Sequence, residues 1–166
     1  MRGTEREVCL LLGSNIRPEQ NLPAAVNLLQ KQLRLLQASS VWETTAVGSA
    51  GPNFLNAALR ARALFDVLDL KERVIHPIEA QLGRVRTSDK NAPRTIDIDL
   101  ILFDGQLLDA TLWKYAYRAV PVAEILPGYL SDTGATLKDV ASRLANSSQI
   151  SVRTDVSIAQ RGKQRA

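Results

Sequence analysis

The feature that most constrains the fold is an alternating segment at residues 93–103, in which two acids stand among apolar residues. Side chains of a strand point alternately to its two faces, so Asp97 and Asp99 would share one face, about 7 Å apart along the backbone. Two such carboxylates repel each other unless a cation lies between them, and Mg²⁺ prefers oxygen ligands. Arg94, just upstream, is suited to phosphate. The segment therefore indicates nucleotide chemistry; the alternative is a strand with one solvated face.

Length and composition place the chain among single-domain globular proteins. Its 166 residues suffice for one core, and 45% hydrophobic with 23% charged residues is ordinary for such a domain. The apolar stretch Val8–Leu12 is too short for a membrane span or a signal-peptide core. The single Cys9 has no internal disulfide partner, and the single His76 excludes a multi-histidine metal site. We expect a buried thiol, a cytoplasmic location and no membrane partner.

The net charge of +4 is concentrated in residues 151–166. We expect these residues to form a flexible basic tail after a single domain at residues 1–150. The body lacks the basic stripe with interleaved aromatic residues that single-strand binders use. The sequence therefore predicts a monomer that binds small molecules and no nucleic acid.

Apolar periodicity predicts the order β-α-β-β-α-β-β followed by a helix. The predicted strands include residues 7–12, 35–43, 54–64 and the acidic segment, and the predicted helices are residues 22–33, residues 67–82 and one that ends at Leu144. Asn21 and Thr136 are the expected helix caps, Pro77 should kink the second helix near Arg73–Val74, and Gly83 should end it. Asp104-Gly105 signals a hairpin. This order is typical of an α+β fold with a mainly antiparallel sheet.

Side chains suited to a nucleotide and a planar ring flank this acidic segment. The chain has no phosphate-binding loop and no dinucleotide fingerprint. Arg84 and Arg86 follow the second helix and suit phosphate; the alternative is that they complement the helix dipole. Asn56 follows Phe54 by two residues on one strand face, where an amide reads the edge of a heterocycle while the ring stacks on it. The alternative there is a strand-edge amide beside a core ring.

Taken together, these blocks resemble the 6-hydroxymethyl-7,8-dihydropterin pyrophosphokinase family of the folate pathway. The resemblance runs in order from Val8 to about Phe103 and is fainter to Pro127. It is carried by Leu12-Gly13-Ser14-Asn15, Ser39-Ser40, Glu43-Thr44, Val47-Gly48, Phe54-Leu55-Asn56-Ala57, Ile78-Glu79, Leu82-Gly83-Arg84-Val85-Arg86 and Pro93-Arg94-Thr95-Ile96-Asp97-Ile98-Asp99.

The resemblance implies a ferredoxin-like α+β core that binds ATP, Mg²⁺ and a reduced pterin. Its reaction moves the diphosphate of ATP onto the pterin hydroxymethyl group and releases AMP. Asp97 and Asp99 would ligate two Mg²⁺ ions, and Arg84 and Arg94 would grip the phosphates as catalytic residues. The other residues that the resemblance assigns are Glu79, Arg86 and Leu100 for the nucleotide, and Thr45, Ala46, Val47, Phe54, Asn56 and Tyr117 for the pterin.

Two features depart from the family pattern. Asn91 stands where the family has a tryptophan, and the stretch Leu112–Arg118 is shorter than its counterpart and contains no histidine. Lys114 and Arg118 are the cations of this stretch, and we expect them to contact the nucleotide. Two other functions stay open: a non-catalytic or altered-substrate pterin- or nucleotide-binding paralogue of the same fold, and a small basic nucleic-acid-binding domain or metal nuclease.

Overall fold

The computed structural model describes residues 3–46, 51–85, 87–89 and 92–158. Its strands form one antiparallel sheet in the order β6-β5-β1-β4-β3-β7, with β2 also paired to β4. The strands are β1 (Arg6–Ser14), β2 (Arg34–Ala38), β3 (Trp42–Thr44), β4 (Phe54–Ala63), β5 (Asp97–Phe103), β6 (Gln106–Leu107) and β7 (Ile150–Val152).

The long strand β4 organises the sheet. It pairs with β1 along one edge and with β2 and then β3 along the other. The prediction of a single strand at residues 35–43 is therefore wrong. The break falls at Ser39, whose backbone N–H donates to the carbonyl of Ala58 while its hydroxyl accepts from the Ala58 N–H. The Ser39 hydroxyl thus accepts the hydrogen bond that a backbone carbonyl would accept in a regular strand pair. The strand ends there for this reason.

Helices cover both faces of the sheet. The helical segments are α1 (Pro18–Gln30), α2 (Val67–Asp69), a π-helical segment (Leu70–Ile75), α3 (His76–Gln81), a 3₁₀ turn (Ala110–Trp113), α4 (Ala116–Ile125) and α5 (Leu137–Asn146). α1 and the segment from α2 to α3 pack on the face that carries Val8, Leu10 and Leu12. α4 and α5 pack on the opposite face, against Cys9 and Leu11. This arrangement confirms the predicted α+β class with a mainly antiparallel sheet.

The first helix begins before its predicted start. α1 begins at Pro18, and Arg17 precedes it in the left-handed region, with φ of 40°. Asn21 lies inside the helix instead of capping it, and its side-chain amide donates to the carbonyl of Ile16. Proline favours the first helical turn because its missing N–H would lack an intrahelical partner there. The predicted helix at residues 22–33 therefore had the wrong bounds.

The structure has a π-helical segment where Pro77 was predicted to kink the helix. The helical chain from Val67 to Gln81 contains a π-helical segment just before the proline, in which the N–H of His76 bonds to the carbonyl of Lys71. This segment spans the predicted kink near Arg73–Val74. Proline has no N–H and crowds the preceding turn, so the backbone there must change its hydrogen-bond pattern.

Apart from the cap predicted at Asn21, the predicted turn and cap signals are confirmed. Asp104 and Gly105 have φ of 51° and 83° and join β5 to β6, as a tight hairpin requires. Gly83 follows the second helical chain with φ of 85°, and the Thr136 side chain accepts a bond from the N–H of Asp139 at the start of α5. Cys9 is buried, as predicted, and burial raises the pKa of its thiol to about 12.

The end of the described chain is part of the fold. β7 pairs with β3, the Arg153 guanidinium binds the Glu43 carboxylate at 2.7 Å, and Ile158 is buried in the core. The predicted flexible tail is therefore wrong for residues 151–158, because paired backbone and apolar contacts hold them; residues 159–166 lie outside the described residues. Within the described ranges, no helix is long and apolar enough to span a membrane.

Candidate functional site

The candidate site lies at one end of the sheet, on the face that α4 covers. Strand alternation brings side chains of three adjacent strands onto this face. The first turn of α4 and the residue before it close the end of the sheet, which leaves a cavity of about 290 Å³. The cavity is lined by Leu11, Gly13, Thr44, Thr45, Ala46, Phe54, Asn56, Ala92, Arg94, Asp97, Asp99, Tyr115, Tyr117 and Arg118.

Two arginines hold Asp97 by both carboxylate oxygens. Arg84 Nη1 lies 2.7 Å from Asp97 Oδ1, and Arg94 Nη1 lies 2.9 Å from Asp97 Oδ2. Arg84 also lies 2.5 Å from Glu79 Oε2, and the two neighbouring carboxylates raise the pKa of its guanidinium against the effect of burial. The arginines predicted to bind phosphate therefore stand beside the acid predicted to bind metal.

Asp99 has a different partner, Arg118 from the first turn of α4. Arg118 Nη2 lies 3.1 Å from Asp99 Oδ2, and Arg118 Nη1 lies 3.4 Å from Asp109 Oδ2. Burial and the nearby Asp97 charge raise the pKa of Asp99 to about 6, while Arg118 lowers it. Asp99 is thus an acid whose charged form lacks full compensation, and it would gain from a further cation.

A second cavity, of about 270 Å³, lies on the other side of the acids along the open edge of β5. It is lined by Lys71, Ile75, His76, Glu79, Asp97, Ile98, Asp99, Leu100, Leu108 and Asp109. The edge is open because β6 pairs only with Leu102 and Phe103. Asp97 and Asp99 line both cavities and therefore stand between them.

Glu79 holds the two acids in place indirectly, through the backbone of β5 and through Arg84. Its side chain is buried, and Oε2 accepts a bond from the Ile98 N–H at 3.0 Å as well as from Arg84. The carboxylate therefore fixes both the start of β5 and the guanidinium that holds Asp97. Its main contacts are with the protein, although it also lines the second cavity.

Asn15, which directly follows β1, binds the backbone of Arg94. Its side-chain oxygen accepts a bond from the Arg94 N–H at 2.7 Å, and its own N–H donates to the Arg94 carbonyl at 3.1 Å. This reciprocal pair fixes the backbone of Arg94 just before β5. The sequence alone does not predict this role of Asn15, because a single amide after a strand does not indicate which loop it holds.

Asn56 is held by Thr44, a residue of the family-like blocks for which the sequence predicted no role in the site. The Asn56 side-chain amide donates to Thr44 Oγ1 at 2.9 Å, and both residues are buried. This bond orients the amide so that its oxygen remains an acceptor for another group. Threonine is common in strands, so nothing in the sequence distinguishes Thr44 as a partner of Asn56.

Tyrosines form the wall of the first cavity at the start of α4. The rings of Tyr115 and Tyr117 stack with centroids 5.4 Å apart, and the Arg118 guanidinium lies 5.4 Å from the Tyr117 ring centroid. Lys114 does not line either cavity; its Nζ lies 5.2 Å from the Tyr115 ring centroid. The structure therefore brings Arg118 to the acids and places Lys114 beside an aromatic ring.

The structure thus groups most of the predicted site residues. The first cavity holds the predicted pterin contacts Thr45, Ala46, Phe54, Asn56 and Tyr117, and the second holds Glu79 and Leu100. Arg84 lines neither cavity but contacts Asp97, which lines both. Val47, Arg86 and Asn91 lie outside the described residues.

The donor set of the acids fits a magnesium ion that arrives with a substrate. Among the described residues, no group of three or more histidine, cysteine or acidic side chains forms a complete metal cage. Mg²⁺ in nucleotide enzymes is typically held by one or two carboxylates together with phosphate oxygens and water. Asp97 and Asp99 supply that pair at an open junction.

Comparisons with known proteins point to one family. A family model described as 7,8-dihydro-6-hydroxymethylpterin-pyrophosphokinase matches residues 9–127. The chain is 29% identical over 147 residues to the 2-amino-4-hydroxy-6-hydroxymethyldihydropteridine pyrophosphokinase of Pseudomonas aeruginosa, with 81% of this chain and 90% of that one covered. The protein of the same name from Synechocystis sp. is 33% identical over 130 residues, with 72% and 66% covered.

Solved structures agree on the fold. The wild-type HPPK-DHPS of Plasmodium falciparum, solved with pteroate, aligns with 88% of this chain at a TM-score of 0.70 and 11% identity. At this identity the likeness concerns the fold alone, and the chain spans 45% of that longer protein. The family match, in contrast, runs from β1 past the end of α4 and includes both acids and the amide of the first cavity. The chain belongs to the 7,8-dihydro-6-hydroxymethylpterin-pyrophosphokinase family.

Proposed function

We propose that this protein transfers the diphosphate of ATP to the hydroxymethyl group of 6-hydroxymethyl-7,8-dihydropterin, releasing AMP, as a step of folate biosynthesis. The observation that carries the proposal is the position of Asp97 and Asp99 between two cavities. One cavity offers an oriented amide and aromatic walls, and the other runs along an open strand edge. A diphosphate that is transferred from a ligand in one cavity to a ligand in the other must pass beside these two acids.

The first cavity suits a flat heterocycle with polar edges. Asn56, held by Thr44, presents an acceptor, while Phe54 and Tyr117 offer ring faces that stack on a heterocycle. Thr45 and Ala46 line the same cavity and can add backbone contacts. A site built to pair the polar edge of a ring rejects analogues that lack those groups.

The second cavity suits the nucleotide base. The Ile98 N–H points away from β1, since it bonds to Glu79, and strand alternation turns the Leu100 backbone to the same open edge. A base can pair with that edge much as another strand would. Ile75 and Leu108 supply apolar surface there, which suits a stacked ring.

Cationic side chains converge where the phosphates would lie. Arg84, Arg94 and Arg118 each contact one of the two acids in the described structure. A diphosphate transfer depends on charge neutralisation and in-line positioning more than on a strong base. Mg²⁺ bound by Asp97 and Asp99, with two ions expected, would neutralise phosphate charge. The arginines would orient the transferred group, while Lys114 and Arg86 remain further proposed contacts.

Substitution of each acid tests the proposal. Asp97→Asn and Asp99→Asn keep shape and remove charge, so each should lower AMP formation by roughly a hundredfold or more while the fold is retained. Asp104→Asn is the matched control, because Asp104 lies in the β5–β6 turn and pairs with Arg6 at 2.8 Å, and asparagine tolerates its left-handed backbone. Full activity in both folded acid variants would exclude this site.

The non-catalytic alternative is not favoured, since the named relatives are pyrophosphokinases. The nucleic-acid alternative has less support, because Arg84, Arg94 and Arg118 each pair with an acid. We expect the protein to act as a monomer, as residues of one chain line both cavities.

A further inference from the structure

We propose that Arg118 is an exchangeable counter-cation of Asp99: it holds this acid in the ligand-free protein and moves to a phosphate when a divalent ion takes its place. The proposal rests on the proposed function, because it needs a polyphosphate ligand beside the acids. Arg118 lies outside the sequence blocks that carry the family resemblance.

The contacts of Arg118 are incomplete. Its side chain is only 14% exposed and touches Asp99 through Nη2. The buried Nε and Nη1 atoms have no hydrogen-bond acceptor among the described residues, since the contact of Nη1 with Asp109 at 3.4 Å is an ion pair without hydrogen-bond geometry. Buried donors without acceptors are costly. A phosphate beside Arg118 would supply acceptors for both of these donors.

The two acids differ in how firmly they are held. Asp97 has an arginine on each oxygen, at 2.7 and 2.9 Å. Among the residues that the structure describes, Asp99 has one longer contact with a basic side chain, at 3.1 Å. An ion that approaches the junction therefore displaces less at Asp99. The Tyr117 ring, 5.4 Å from the guanidinium, keeps Arg118 beside the first cavity when it leaves the acid.

This arrangement couples metal binding to nucleotide binding. A free divalent ion must break the pair between Arg118 and Asp99, and the released guanidinium is then a buried cation without a partner. With a nucleotide present, its phosphates accept the guanidinium while the ion binds the carboxylate. Each ligand should therefore raise the affinity for the other, by an equal factor in both directions.

Titration with Mn²⁺ in the absence of nucleotide tests the exchange. Calorimetry would compare the parent protein with Arg118→Gln, Arg118→Met and Arg118→Lys. The two neutral variants should bind Mn²⁺ alone about tenfold more tightly and a non-hydrolysable ATP analogue about tenfold more weakly, which are changes of opposite sign. Arg118→Lys should stay near the parent in both. Arg6→Gln is the matched control, since it removes an arginine that pairs with an acid, Asp104, outside the lining of both cavities.

The outcomes separate this inference from the proposed function. Unchanged or weaker Mn²⁺ binding in the neutral variants would overturn the exchange, even if the parent protein forms AMP. A loss of both affinities would assign Arg118 a purely structural role and would also overturn it. Tighter metal binding in the variants of a protein that forms no AMP would support the exchange and refute the proposed reaction. Arg118→Met fills the same space with apolar atoms and keeps the test available if Arg118→Gln unfolds.

Discussion

Gly13 lies between Asn56 and Asp97 in the sheet, and its missing side chain sets the spacing of the site. It pairs with Asn56 on β4 and with Asp97 on β5. A Cβ at this position would lie 3.0 Å from Asn56 Oδ1 and 3.8 Å from the Phe54 ring. The glycine therefore permits a close approach, and its backbone needs no unusual φ.

Gly13→Ala should weaken pterin binding. The added methyl group must push the Asn56 amide from the position that Thr44 fixes, and such overpacking costs about 1–3 kcal/mol. Calorimetry with the pterin should then show an affinity lower by roughly one to two orders of magnitude. Gly128→Ala is the control, because a Cβ there meets no atom within 4 Å. Equal losses in both variants would mean that the Gly13 contact is not specific.

Asn56→Ala should remove the polar recognition of the heterocycle. The loss of a buried partner costs on the order of 1–3 kcal/mol, and we expect it in pterin affinity while the ATP analogue binds as in the parent. Asn53→Ala serves for comparison, as its exposed amide bonds to Glu43 at 2.9 Å and lies outside the cavity lining. Unchanged pterin affinity of Asn56→Ala would place the pterin elsewhere.

Among the secondary-structure elements, β7 supports the site from a distance. Arg153, which follows β7, binds Glu43 of β3 at 2.7 Å and Asp155 at 2.8 Å, and its N–H donates to the carbonyl of Val41. β3 leads directly into Thr45 and Ala46, which line the first cavity. The last described strand thus positions a segment that is expected to touch the pterin.

Arg153→Ala should lower the melting temperature slightly and weaken pterin binding. Arg34→Ala is the control, because it breaks an exposed pair with Glu5 and should affect stability alone. Arg153 lowers the pKa of Asp155 from 3.8 to about 2. An acid with a depressed pKa stabilises the fold above its unfolded value and loses this effect as pH falls through its folded value. The difference in melting temperature between variant and parent should therefore shrink below about pH 4. A constant difference down to pH 2 would contradict this role.

Individual elements differed in how well the sequence predicted them, for physical reasons. The alternation at Asp97 and Asp99 was readable because strand period fixes the face of every side chain. α4 was not predicted from periodicity, because it contains Pro121 in its interior, where proline normally ends a helix. β7 has three residues and depends on pairing with β3, which no local pattern reveals. The bond between Arg118 and Asp99 needed both α4 and β5 in place.

At the scale of the whole molecule, the sheet is a platform whose end separates two cavities. Three strands place an amide, a glycine and two acids side by side on one face, and α4 adds a wall of aromatic rings and a third arginine. The second cavity lies along the open edge of β5. The acids serve both cavities because β5 borders each of them.

The central claim is that a diphosphate crosses this junction, and analysis of the products tests it most directly. The protein, Mg-ATP and 6-hydroxymethyl-7,8-dihydropterin would be incubated together, and the products separated by chromatography and identified by phosphorus NMR. We predict AMP and the pterin diphosphate in equal amounts, both dependent on the pterin and on Mg²⁺. Formation of ADP, or binding of both ligands without any AMP, would contradict the account.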